Sequence, residues 1–212
     1  MSVTSETDIG NLTLDLLSAG TVQDIVTPTS PTEELLNRWY DQVRKKVLRE
    51  HPWNFAAKRT ILAASPTAPD FGYTAAYPVP NDFLRLLTIQ DSDGNDISGQ
   101  SYGFEFVGTQ RCIVTNAEGG QLRVRYVFDI QDVSKFDPLF IQLFAHELAM
   151  AIAYKVTESN GNVERLVQIA KMTAGMAKSI DGQENPPKMI TRSRSINARR
   201  NLLGIRTDRI NF

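Results

Sequence analysis

The sequence predicts an α+β fold: an antiparallel four-helix bundle, an inserted antiparallel β region and an extended C-terminal arm. Three observations predict it. Apolar residues recur at helical spacing near both ends of the ordered pattern. Between them lie short runs broken by Pro, Gly, Asn and Asp, the rhythm of strands and turns. The last segment is basic and only sparsely apolar. The boundaries follow as residues 1–55 for the first helical pair, 56–135 for the β insertion, 136–185 for the second helical pair and 186–212 for the arm.

Ile9, Leu12, Leu16 and Leu17 open the chain as a short amphipathic helix, with Gly20 as the expected C-terminal cap. The stretch SPTEELLNRWYDQVRKKVLRE carries a stronger start signal. Ser30 is placed to cap the helix, Pro31 to enter its first turn and Glu33 to complete a capping box. Leu36, Trp39, Val43 and Val47 line its apolar side. Pro52 ends it, because its ring excludes the α conformation from His51.

KRTILAA, FLRLLTIQ, GFEFVG, RCIVTN and QLRVRYVF read as strands. In the last, Leu122, Val124 and Tyr126 alternate with Arg123, Arg125 and Val127, which predicts one covered face and one wet face. Helical period returns in FDPLFIQLFAHELAMAIAYKVTES, with Asp137 as cap, Pro138 in the first turn and Phe140, Phe144, Leu148 and Ile152 as a stripe. VERLVQIAKMTAGMAKSI forms a fourth helix, turning Val163, Leu166, Val167, Ala170, Ala174 and Ala177 inward, until ENPP stops it.

The 212 residues suit one domain, or one with a large insertion. Charge is nearly balanced, 23 Lys and Arg against 24 Asp and Glu. From Lys188 onward, however, seven basic residues face one acidic residue, Asp208, so the remainder is strongly acidic. The single cysteine, Cys112, permits no intrachain disulfide and suits a reducing cytoplasm. MSVTSETDIG carries neither a basic nor an apolar leader region, and no apolar run approaches a membrane span of roughly 20 residues. The expectation is a soluble, non-secreted protein with no membrane contact.

Chemistry finds few footholds. His146 and Glu147 imitate half of a zinc-hydrolase helix, but Met150 stands where the second His belongs, and His51 is the only other histidine. The pair reads as part of a packed helix. DSDGND, Asp91 to Asp96, resembles the start of a calcium loop, yet its sixth and twelfth positions are Asp96 and Tyr102, so a hairpin turn is expected. Cys112 lies in a strand-like run without a nearby His. Glu118 to Gln121 lacks the lysine of a phosphate loop. Trp39, Trp53 and Phe55 read as core or interface anchors. No catalytic residue, metal ligand or cofactor is expected.

The arm differs in kind. Arg192, Arg194, Arg199, Arg200, Arg206 and Arg209, with Ile205, Ile210 and Phe212, are read as a partner-binding segment, the Arg meeting carboxylates or carbonyls and the apolar groups filling hollows. A nucleic-acid partner is the competing reading of these cations.

RWYDQVRKKVLREHPWNFA (Arg38 to Ala56), YPVPNDFLRLL (Tyr77 to Leu87) and FDPLFIQLFAHELAMAIAYKVTES (Phe136 to Ser159) together resemble the tail tubular protein A family of short-tailed bacteriophages. The resemblance runs from about Ile9 to Ile180. It implies a virion structural protein, assembled in the host cytoplasm: an adaptor forming a ring, dodecameric in relatives, between the portal and the tail nozzle. DNA would pass through the ring without being read, and the arm would reach the portal or an adjacent subunit. A metal-dependent hydrolase acting on cell-wall material, resting on His146 and Glu147, and a DNA-binding module using the basic tail are the alternatives.

Overall fold

A computed structural model describes residues 3–97, 102–117, 120–157 and 160–184, with backbone alone for 160–163. The chain begins with α1 (Glu6–Leu16), where Ser5 and Asp8 form a capping box. Leu17 follows as C-cap and Ser18 adopts a φ of 56°, so the left-handed turn expected at Gly20 occurs two residues earlier. The inner face is also rotated from the expected one. Ile9, Gly10, Thr13 and Leu14 are buried, while Leu12 and Leu16 are only partly covered. Gly10 packs tightly there, and a Cβ would sit 3.2 Å from Ile25 Cγ2, so that side chain would have to give by a few tenths of an ångström.

In α2 (Pro31–Glu50) the expected capping box is present. Glu33 accepts from the amides of Thr29, Ser30 and Gln23. The Thr29 amide, with these others, draws its carboxyl down to about 2. His51 ends α2 in an extended conformation, as the following proline requires.

Among the described residues six strands follow: β1 (Ala57–Ala63), β2 (Ala75–Pro78), β3 (Phe83–Gln90), β4 (Tyr102–Val107), β5 (Gln110–Thr115) and β6 (Gln121–Phe128). They form two antiparallel sheets, ordered β1-β6-β3 and β2-β5-β4. β2 was not among the expected strands. It is a short edge strand whose Pro78 comes last, where a missing donor costs least. Leu62, Phe83, Ile89, Leu122, Val124 and Tyr126 of the first sheet join Tyr77 and Ile113 of the second in one apolar cluster.

A short 3₁₀ turn (Val133–Lys135) leads into α3 (Pro138–Thr157), and α4 (Asn160–Gln183) follows. Asp137 caps α3, accepting from the amides of Leu139 and Phe140 at 2.8 and 3.3 Å. Phe140, Phe144, Leu148 and Ile152 are fully buried, and so are Ala145, Ala149 and Ala153. This helix is apolar on nearly every side and forms the centre of the core. By length and composition alone it is long enough to cross a membrane, contrary to the expectation that no such run exists. In the fold its neighbours are α1, α2 and α4.

The antiparallel four-helix bundle is therefore not formed. α3 is a hub on which the other helices lie, and α2 turns its remaining apolar side to β3 and β6. Leu84, Leu87, Val127 and Phe128 enter the helical core from the first sheet. A bundle closes when each helix finds apolar helical neighbours on both flanks. Here the sheet occupies a flank that a fourth helix would need, so the β region is a wall of the core.

Candidate functional site

The aromatic side chains of HPWNF and FDPLFIQLF converge. Trp53 is fully buried, donates Nε1–H to Val47 O at 3.0 Å and meets Phe140 edge-on with ring centres 5.3 Å apart. Phe55 and Phe136 each lie 5.0 Å from Phe140, and Phe144 carries the chain of rings on to Tyr40. Trp53 and Phe55 are core anchors, while Trp39 is half-buried at its margin.

Two polar contacts lock this core, and neither was legible from spacing. Arg44, only 1% exposed, reaches Asp129 through Nε and Nη2 at 3.2 and 3.1 Å, and Asp41 through Nη1 at 2.7 Å. Asp181, near the end of α4, accepts from the Asn54 amide at 2.9 Å and lies 2.9 Å from His51 Nε2. Asn54 Nδ2 returns a bond to the Asp181 carbonyl at 2.7 Å. The turn HPWN thus receives the last turn of α4. Beside Arg44 a cavity of about 240 Å³ is lined by Glu6, Tyr40, Asp41 and Gln131. Burial raises the Tyr40 phenol and the Glu6 carboxyl, in each case against the lowering effect of Arg44.

The chemically suggestive residues have structural partners. His146 Nδ1 lies 2.7 Å from the Gln142 carbonyl of its own helix, and Glu147 accepts from Lys46 Nζ at 2.6 Å. His51 Nε2 lies 2.9 Å from Asp181 Oδ2. Among the described residues no group of three His, Cys, Asp or Glu side chains is arranged to hold a metal. In DSDGND, Asp91 accepts from the amides of Asp93 and Asn95 and from Asn95 Nδ2, while Gly94 takes a φ of 90°. The carboxylate expected of a cation ligand closes its own turn. Cys112 is buried, and burial raises its thiol. Gly120, with a φ of 69°, turns the chain into β6.

Among the described residues, three exposed surfaces stand out. On α4, Ile169, Met172, Met176 and Ile180 are exposed at helical spacing. Phe71 and Phe106, among the most exposed aromatic residues described, line a cleft beside β4. The outer face of the β1-β6-β3 sheet is different, being cationic. Arg59 stands opposite Arg125, which stands opposite Thr88; Ile61, Arg123 and Gln90 form the adjacent row. Val127 belongs to the same face by alternation but is fully buried, because the helical core covers that end. Its expected exposure is thereby corrected. Arg123 and Arg125 lie beyond this cover.

The nine arm residues expected to contact a partner, Arg192, Arg194, Arg199, Arg200, Ile205, Arg206, Arg209, Ile210 and Phe212, fall outside the described residues. The chain matches no protein-family model and no curated protein sequence.

Proposed function

We propose that this chain is a virion structural protein, a head-to-tail adaptor of a short-tailed bacteriophage that assembles as a ring between portal and nozzle. The observation carrying this reading is that the first and third of the family-like stretches pack on each other. HPWNF supplies Trp53 and Phe55, and FDPLFIQLF supplies Phe136, Phe140 and Phe144, as one continuous aromatic core. Motifs that meet in this way are constraints on a shared fold, which is what separated resemblances in the same order would require. The exposed stripe on α4 adds support, since contiguous apolar surface on a subunit commonly marks a contact.

In this reading α1 to α3 keep the subunit rigid, α4 presents a face to the neighbouring adaptor or the portal, and the basic arm extends the contact. DNA would pass through the ring without sequence-specific binding, and no catalytic step is assigned. The test is attachment to portal rings of the phage that carries this chain, followed by electron microscopy. The full chain should decorate the portal as a ring, and truncation after Pro187 should leave the subunit folded but weaken attachment. Portal binding undiminished by truncation would remove the arm from the interface. Failure of the full chain to bind portal would sink the adaptor reading.

A further inference from the structure

The cationic sheet face is costly for the fold. Arg59 and Arg125 are direct cross-strand partners in the antiparallel β1–β6 pair, and like charges so placed repel. Arg123 follows two residues along β6, on the same side, at a rise of about 7 Å. Among the described residues, none of the three makes an ion pair. The contrast with the rest of the protein is informative. Arg44 is held by two carboxylates, and Arg85, also facing outward from the first sheet, donates to the carbonyls of Arg49 and Glu50 at the end of α2. The acidic turn lies beside Arg123, where a Cβ on Gly94 would sit 3.1 Å from Nη1, and its Asp91 carboxylate accepts from the turn's own amides.

We propose that this open end of the β1-β6-β3 sheet binds the phosphodiester backbone of nucleic acid through Arg59, Arg123 and Arg125, with Thr88 and Gln90 as neutral donors. The shape favours a linear polyanion over a single small anion. The three guanidinium groups rise from two adjacent strands and are spread over a shallow surface depression of about 250 Å³. The donor set is the one phosphate contacts use, Arg with neutral hydroxyl and amide side chains. An acidic peptide commonly gains affinity by adding a strand at a sheet edge. The two β6 arginines stand at the centre of the sheet, where both backbone edges are already paired, so this face recognises through side chains alone. Neither row presents a base-reading loop or helix, and the binding is therefore indifferent to sequence.

The site uses no residue of the C-terminal arm and does not depend on the adaptor reading. Its test compares the full-length protein with full-length R59Q/R123Q/R125Q, so that the arm contributes equally to both. Affinity for a 30-base-pair duplex is measured between about 50 and 200 mM salt. Each phosphate contact adds about 0.9 to the slope of log affinity against log salt, so the wild type should exceed the variant by about 2.7. Over that fourfold salt range the wild type should lose about 40-fold more affinity than the variant. The unfolding temperature should not fall, since the substitutions relieve repulsion. If the triple variant does not fold, Arg59→Gln on the edge strand should lower the slope by about 0.9. Equal slopes for wild type and variant overturn the proposal, as does loss of poly-glutamate binding with duplex binding unchanged, which would assign the face to an acidic protein. Portal attachment of the same variant is read in parallel. Its retention alongside the loss of DNA affinity separates the two functions.

Discussion

α3 and α4 are consecutive helices of 20 and 24 residues, and they solve the burial problem in opposite ways. α3 carries large apolar groups around most of its circumference and is surrounded by α1, α2 and α4. α4 packs chiefly on α3 through Leu166, Ala170 and Ala177, and its far side leaves Met172 and Met176 73% and 61% exposed. The width of the apolar stripe sets the number of neighbours a helix can hold. A broad stripe makes a hub, while a narrow stripe of small residues makes a helix docked on one side, with its other side open to a partner. α4 is therefore held at its end as well as along its length, by Asp181 on the HPWN turn and by Lys178 near Glu50.

The comparison breaks if α3 tolerates truncation. Phe144→Ala should destabilise the protein by about 3 to 5 kcal/mol in urea unfolding, because the ring is fully buried between Tyr40 and Phe140 and its removal leaves a cavity. A loss below about 1 kcal/mol would deny α3 its central role. Next in size is Arg44→Ala. It strips the buried cation from Asp129, whose remaining partner, Lys45, lies 3.6 Å away and is half exposed, and should cost about 3 kcal/mol.

A selective effect on α4 is expected from Asp181→Ala. Leaving the Asn54 amide without its acceptor should cost about 1 to 3 kcal/mol. Hydrogen exchange should accelerate in the C-terminal half of α4 and not in α3. Uniform acceleration in both would show that α4 is not separately anchored. Ser18→Gly should stabilise by up to about 1 kcal/mol, since glycine meets the positive φ at the end of α1 without steric cost. Unchanged or lower thermal stability would assign Ser18 another role. The smallest change in stability is expected for the paired substitution Met172→Gln and Met176→Gln, within about 0.5 kcal/mol by denaturation. In the adaptor reading the same variant should fail to assemble with its neighbours, and intact assembly would remove the α4 stripe from the interface.

Local signals were the most legible. Both the Ser30–Glu33 capping box and the Asp137 cap are present, and the alternation of β6 correctly buried Leu122, Val124 and Tyr126. The turn at Asp91 to Asp96 was legible too, because an Asp that bonds its own following amides needs only neighbouring residues. Less was legible at α1, where Leu12 and Leu16 satisfy the helical period but the buried face runs through Gly10 and Thr13, with Ile25 packed close against Gly10. β2 leaves little trace in the sequence, because four residues with a terminal proline carry too little alternation.

Periodicity tells which side of an element is apolar, and that information sufficed for four helices and a strand-rich middle. It does not say which element will cover that side. The bundle was expected because two helical pairs flank the strands in sequence, yet Val127, Leu84 and Leu87 give the first sheet an apolar end that competes for α2. The same long-range registers bring Arg59, from residue 59, opposite Arg125, and Asp181 onto His51 and Asn54. Caps, turns and alternation are encoded within a few residues, so the chain states them locally. Partners separated by 66 or 130 positions meet only when sheet pairing and helix docking close the intervening chain, and those contacts belong to the tertiary fold.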